Sequence, residues 1–211
     1  THVSGIIAAE NNSFGGVGVA PAAKIYSLKV LNRRGRGYLS DTIEALDWAV
    51  SHDMQIVNMS LGTRSNILSF QEAVEGVAAA GIIQVGAGGN SGPSADSVIY
   101  PAKYPQVLAV AAVDADDNVP SWSSRGSEID LAAPGKSVYS TYLRGKYKTM
   151  SGTSMSAPHL SGAVALRLFL YPEETLVQIK PILEAGADYL PFPAEMVGAG
   201  LLNVFNLVTA P

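Results

Sequence analysis

Ser154 and Asn90 are the residues of this chain whose types and surroundings best suit chemistry. Ser154 stands in Gly152-Thr153-Ser154-Met155-Ser156-Ala157-Pro158, and the small-residue run from Ala157 to Leu170 reads as a helix with Pro158 near its start. Proline is tolerated in a first helical turn, because its missing N–H has no intrahelical partner there. Ser154 is therefore expected at or just inside a helix N-terminus, where unpaired N–H groups and the positive dipole end favour negative charge. An acyl-transfer nucleophile needs that setting, since the oxyanion formed beside it must be held by fixed donors. The same hydroxyls would serve equally as an ordinary Ser/Thr N-cap.

Asn90 lies in Gly86-Ala87-Gly88-Gly89-Asn90-Ser91-Gly92. The run superficially suggests a dinucleotide loop, but it lacks the last glycine of G-x-G-x-x-G, and Pro93 with a Ser/Ala/Asp stretch follows instead of a helix. It is either a simple glycine-rich turn or a loop that delivers the Asn90 amide, a neutral N–H donor, to a pocket. His159 lies five residues after Ser154, about 500° around the helix, so it faces elsewhere and reads as a structural hydrogen-bonding residue. His52 reads as a solvated residue, and no His/Asp/Glu cluster has catalytic zinc spacing. The oxygen-rich run Glu10-Asn11-Asn12-Ser13-Phe14-Gly15-Gly16 could wrap a hard cation with carbonyls and the Asn12 amide, or be a plain turn.

The elements that must position these groups alternate along 211 residues, enough for one domain with a large core. Apolar residues make up 47% and charged ones 15%, the balance of a compact globular enzyme. The net charge of −4 comes without a basic tract, which argues against nucleic-acid binding. Zero cysteines exclude disulfides and thiolate chemistry. No apolar stretch reaches the roughly eighteen residues of a membrane span; Gly81 and Gln84 interrupt the best one, Val77 to Val85. Thr1-His2-Val3-Ser4-Gly5 offers neither an initiator Met nor a basic leader and already reads as helix, so the start is taken as a truncation or processing point.

Strands are expected at 23–31, 55–61, 82–87, 107–113 and 129–132, with a hairpin of 138–143 and 147–150 around Arg144-Gly145. Helices are expected at 39–52 (capped by Ser40 or Asp41), 69–80 (stopped by Gly81), 175–187 and 202–208, besides the Ser154 helix. Such alternation implies a mostly parallel central sheet with helices on both faces, a three-layer α/β fold. Ligands bind beyond the carboxyl ends of such strands. The polar or glycine-rich segments there are Ser60-Leu61-Gly62, Gly88-Gly89-Asn90 and Gly35-Arg36-Gly37.

At this point the chain resembles the subtilisin-like serine endopeptidases, from Thr1 to the last helix. The resemblance rests on Thr1-His2-Val3-Ser4-Gly5, Gly18-Val19-Ala20-Pro21, Val57-Asn58-Met59-Ser60-Leu61-Gly62, Gly88-Gly89-Asn90, Tyr100-Pro101-Ala102, Ala133-Pro134-Gly135 and Gly152-Thr153-Ser154-Met155. It implies that Ser154 is the acylating nucleophile, with Asn90 and the Ser154 backbone N–H holding the oxyanion. It also implies that Ser60-Leu61-Gly62 and Gly88-Gly89 wall the primary specificity pocket. Gly35-Arg36-Gly37 and Ser60-Leu61-Gly62 would clamp an extended polypeptide substrate by strand addition. Tyr100-Pro101 matches a cis peptide bond of the family.

His2 matches the second, non-catalytic histidine of the family's His-Gly-Thr-His-Val motif. The catalytic His and Asp would therefore lie upstream, and residues 1–211 would be the C-terminal portion of one catalytic domain lacking its N-terminal strand or strands. By itself this portion is expected to be inactive. Ile99 falls where the family has a small residue at the pocket base, which favours small or medium apolar side chains over Tyr or Phe. Arg33, Arg34 and Arg36 suggest acidic side chains on the substrate's N-terminal side, or a solvated charge run. The resemblance implies structural calcium at Asn12 and the carbonyls of Glu10, Phe14 and Gly16, and a weaker cation site at the carbonyls of Ala102, Tyr104 and Val107 with Asp130. It further implies a secreted monomer that contacts a propeptide or the N-terminal segment. A non-catalytic, protease-like binding or regulatory protein is the rival reading.

Overall fold

A computed structural model describes all residues, 1–211. Its centre is a parallel sheet of four strands in the order β1 (Ile56–Met59), β2 (Ile83–Ala87), β3 (Val107–Val113) and β4 (Ile129–Pro134). An antiparallel hairpin, β5 (Val138–Tyr142) with β6 (Lys146–Met150), follows. It turns through Arg144 and Gly145, whose φ values of 60° and 67° lie in the left-handed region that glycine adopts most easily.

Both faces of the sheet are covered, so β3 is an unbroken apolar run, buried at every residue. Its side chains divide by period two: Leu108 and Val110 join one core, Ala109, Ala111 and Val113 another. The first core is closed by α4 (Thr153–Leu170) through Ala157, Leu160, Ala163 and Val164, with α5 (Leu176–Gly186) and α7 (Val204–Thr209) behind it. On the opposite face, α2 (Leu39–Ser51) and α3 (Leu68–Ala79) bring Leu46, Phe70, Val74 and Val77 against Met59 and Val107. A short helix α6 (Ala194–Val197) lies along β4, and α1 (His2–Ala8) packs against α4 and β5.

Three local expectations are corrected, and one element is added. Residues 23–31 form no strand: they join no ladder, and Ile25, Tyr26 and Leu28 are exposed. A β pattern becomes a strand only beside a ladder partner, and β1 is the sheet edge. The N-cap of α2 is Tyr38, with no side-chain cap; Ser40 and Asp41 lie inside the first turn, where Asp41 favours the positive dipole end. The last helix starts at Val204 because the Asn203 side chain caps it, accepting from the Asn206 N–H at 2.9 Å. The short α6 carried no periodicity long enough to read in the sequence.

Arg167 ties α4 to the C-terminal region. Its buried guanidinium grips Glu174 through Nε (2.7 Å) and Nη2 (2.5 Å) and donates from Nη1 to the carbonyls of Leu207 and Ala210. These carbonyls belong to the end of α7, which its own hydrogen bonds leave unsatisfied. Arg167→Met would strand both Glu174 and those carbonyls, and is expected to cost about 3 kcal/mol in urea unfolding.

Candidate active site

The site forms where the carboxyl ends of β1 and β2 meet the first turn of α4. Strand β1 leads into Ser60-Leu61-Gly62 and β2 into Gly88-Gly89-Asn90, as a parallel sheet places its ligand-facing loops. The second of these loops is pinned on all sides. Gly88 N–H donates to the Val110 carbonyl (3.0 Å), Ile99 N–H to the Gly88 carbonyl (3.0 Å) and Ser124 N–H to the Gly89 carbonyl (3.0 Å). Ser91 N–H donates to Ser124 Oγ at 3.1 Å.

Ser154 is the second residue of α4, and the helix is capped by Gly152 with no side-chain cap bond. The hydroxyls of Thr153 and Ser154 are thus not N-caps. Instead the first-turn donors are met from across the cleft. Thr153 N–H donates to Asn90 Oδ1 at 3.0 Å, and the buried Thr153 hydroxyl accepts from Gly89 N–H (3.0 Å) and donates to the same Asn90 oxygen (3.2 Å). A backbone N–H can only donate, so the atom facing it must be the carboxamide oxygen. The Asn90 NH2 group has no protein partner, nor does the Ser154 N–H, and a Cβ on Gly152 would lie 3.4 Å from the first nitrogen and 3.7 Å from the second. Two unspent donors flank the start of α4 beside the Ser154 hydroxyl.

Pro158 occupies the sixth position of α4, in its second turn rather than its first. An N–H there would bond the carbonyl four residues back, which is that of Ser154; proline removes it. The freed carbonyl accepts from Ser60 Oγ at 2.9 Å, and Ser154 Oγ donates back to the Ser60 carbonyl at 3.3 Å. Proline thus ties Ser154 to the Ser60-Leu61-Gly62 segment. The Ser60 hydroxyl in turn accepts from Asn58 Nδ2 (3.0 Å), whose carboxamide oxygen accepts from Ser161 Oγ (2.9 Å).

No histidine touches Ser154. His159 Nδ1–H donates to the Met155 carbonyl of its own helix (2.8 Å), and burial holds its pKa below the usual 6.5 against the opposing pull of that bond. His2 Nε2 pairs with the Lys148 carbonyl, and His52 bonds the Trp48 carbonyl while stacking on its ring.

Ile99 stands between the two wall segments. A Cβ on Gly62 would lie 2.6 Å from Ile99 Cδ1, and one on Gly89 would lie 3.2 Å from Ile99 Cγ1 and Cγ2. A Cβ on Gly62 would also lie 2.5 Å from the Tyr100 carbonyl oxygen, and Gly89 has a φ of 113° with Ser124 Oγ 2.8 Å from such a Cβ, so neither position has room for a side chain. The cis Tyr100-Pro101 bond is present, as is a second at Gly92-Pro93. Gly35-Arg36-Gly37 lies on an exposed loop organised by Asn32, whose side-chain oxygen accepts from the Arg34 N–H (2.8 Å) and the Arg36 N–H (3.3 Å).

Each of the two expected cation sites is a set of backbone carbonyls with one side chain, Asn12 or Asp130. Asp130 Oδ1 meets the Lys180 ammonium at 2.5 Å and its Oδ2 accepts from Ala109 N–H at 2.7 Å, so a positive group already occupies that carboxylate. Nearby, the Tyr104 carbonyl accepts from the Val107 N–H at 3.0 Å. In the exposed run from Glu10 to Gly16, the Asn12 oxygen closes a turn on Phe14 N–H (3.2 Å). No group of three or more His, Asp or Glu side chains converges anywhere.

The sequence matches the subtilase family over residues 1–200. It is 45% identical over 203 residues to a thermostable alkaline protease of Halalkalibacterium halodurans, covering 96% of this chain and 55% of that protein. It is 44% identical over 206 residues to subtilisin E of Bacillus subtilis, covering 97% and 54%. Subtilisin DY of Bacillus licheniformis is 43% identical over 206 residues, covering 97% and 75%. The chain spans about half the length of the first two.

Two measurements check this geometry. Ser60→Ala should cost about 1–2 kcal/mol in urea unfolding, because the Ser154 carbonyl loses its donor. In a Pro158→Ala background, where the restored N–H serves that carbonyl, the cost should shrink by about 1 kcal/mol. Because the native His159 pKa is lowered, the unfolded chain takes up a proton that the native chain refuses between the two pKa values. Stability is therefore full above 6.5 and falls as pH drops toward the native pKa. Urea midpoints between about pH 8 and about pH 5 should fall less steeply in His159→Gln than in the parent.

Proposed function

The chain belongs to the subtilase family, and we propose that it carries the acylating serine, the oxyanion donors and the primary pocket of a serine endopeptidase. The observation that carries this reading is the pair of unspent donors, Asn90 Nδ2–H and Ser154 N–H, beside the Ser154 hydroxyl at one helix N-terminus. A carbonyl oxygen placed between them would be stabilised as it gains charge, where the helix dipole adds to the effect.

Ser154 Oγ attacks the carbonyl carbon of the scissile bond and loses its proton to a general base. The base then returns the proton to the leaving amine, and water releases the acyl group by the same path reversed. That base is not among the three histidines of these residues, none of which reaches Ser154. We assign it to polypeptide outside the 211 residues, which by themselves should not turn over peptides. The extended substrate lies between the Gly35-Arg36-Gly37 and Ser60-Leu61-Gly62 edges. Its side chain at the cleaved bond enters between Gly62 and Gly89 and stops on Ile99, which admits small or medium groups over Phe or Tyr. The calcium implied by the resemblance would be held by Asn12 with the carbonyls of Glu10, Phe14 and Gly16, whereas Lys180 on Asp130 opposes a cation at the second site. Polypeptide substrates and a secreted, monomeric protein complete the proposal, and no helix is long and apolar enough to cross a membrane.

The test is hydrolysis of a peptide ester by the intact protein that carries this chain, beside residues 1–211 alone. The intact protein should hydrolyse it and the 211 residues should not. Ser154→Ala should abolish turnover. Asn90→Ala should lower kcat with little change in KM, by about 10²–10³-fold, the effect of removing the oxyanion-hole asparagine of a subtilisin. Undiminished hydrolysis by Ser154→Ala would overturn the role of Ser154, and no hydrolysis by the intact protein would favour the non-catalytic rival.

A further inference from the structure

The rim of the pocket is bridged by an arginine that the general reading does not use. Thr63 and Tyr100 exchange both backbone hydrogen bonds, Thr63 N–H to the Tyr100 carbonyl at 2.8 Å and Tyr100 N–H to the Thr63 carbonyl at 2.9 Å. This bridge continues the Ser60-Leu61-Gly62 wall and sets the next residue, Arg64, facing the opposite wall. Arg64 Nη2 donates to the hydroxyl of Ser91 at 3.0 Å, and Ser91 directly follows the oxyanion donor Asn90. One side chain thus spans from the segment after one wall to the residue after the other. A cavity of about 480 Å³ adjoins the pocket through Ile99, lined also by Arg64, Ser91, Ser97, Tyr100 and Lys103 but by neither glycine wall.

The charges in this space are not equivalent. Lys103 is committed to Asp96 and lies 3.5 Å from Glu128. Arg64 forms no ion pair, and a guanidinium has five N–H donors, of which Ser91 takes one. Its planar fork can therefore receive a carboxylate in two parallel bonds. Ile99 raises the pocket floor between Gly62 and Gly89, so a side chain of moderate length ends near the rim rather than deep beneath it.

We propose that Arg64 reads the side chain of the residue whose carbonyl Ser154 attacks, and selects aspartate or glutamate there. The inference rests on the pocket walls assigned in the preceding subsection. Ile99 limits length, and Arg64 supplies the sign of charge. A lysine or arginine at the same position meets like charge, which rejects it as actively as the carboxylate is accepted. Arg64 is exposed, so the attraction is moderate and is screened by salt.

The test measures kcat/KM of the intact protein on peptide anilides that differ only at that residue: Glu, Gln, Lys, Ala and Phe. Glutamate should exceed its isostere glutamine by about fivefold at low salt, and the ratio should fall toward one at about 1 M salt. Arg64→Gln should bring the ratio to about one at low salt, and Arg64→Glu should favour lysine. Each ratio is internal to one variant, so a change in folded fraction scales both substrates alike. Parity of Glu and Gln in the parent, or a ratio unmoved in Arg64→Gln, would overturn the role of Arg64 while cleavage of the Ala substrate leaves the protease reading standing. No cleavage of any substrate, with no labelling of Ser154 by a peptidyl phosphonate, would overturn both.

Discussion

The first turn of α4 carries backbone groups that the helix cannot satisfy itself, and the site is built around how they are met. With glycine at the cap and no capping side chain, the Thr153 N–H turns to Asn90. That single bond orients the carboxamide, because only its oxygen can face a donor, and so decides which way the NH2 group points. The Thr153 hydroxyl adds Gly89 N–H to the same node. The loop after β2 and the start of α4 are thereby one rigid unit, and the only first-turn donor left unspent beside the serine hydroxyl is its own N–H.

Pro158 does the complementary work at the other wall. A residue with an N–H at this position would close a routine helical bond to Ser154 and leave the Ser60 hydroxyl without that acceptor. By withholding the N–H, proline exposes the Ser154 carbonyl to Ser60, so β1's loop is fixed to the same helix turn that holds Asn90. The distance between pocket wall and nucleophile then depends on two short side chains with little rotamer freedom, which is how a preorganised site keeps its geometry.

Much of this was legible in the residues, and the failures have physical causes. Val107–Val113 was readable to the residue because a strand buried on both faces admits nothing but small and branched apolar side chains. Residues 23–31 carry an equally convincing β pattern, but pairing is a property of two segments and the pattern records only one. Ser154 and Asn90 were recognisable from motifs whose spacing is distinctive. The position of Pro158 was misjudged because α4 begins at Thr153, where the sequence offers hydroxyls that look like caps and a glycine that does not. Arg64 left no signal at all: its link to Ser91 joins residues 27 apart through a bridge between Thr63 and Tyr100 that no local periodicity encodes.

The charges around the site follow from the same economy. A helix N-terminus that must stabilise a transient anion works best with neutral neighbours, since a fixed cation beside it would also bind ordinary anions and a fixed carboxylate would oppose the charge. His159 on the same helix is kept neutral by burial, and its one fixed proton is committed to the Met155 carbonyl. Asp130 is met by Lys180 and a backbone N–H, and Lys103 by Asp96, so these groups project little net field. The guanidinium of Arg64, without an ion-pair partner, bonds Ser91, the residue after Asn90, and is exposed to solvent. Solvent screening lets it act on a side chain in direct contact while contributing little at the oxyanion position. Recognition and chemistry can thus occupy adjacent residues without one perturbing the other.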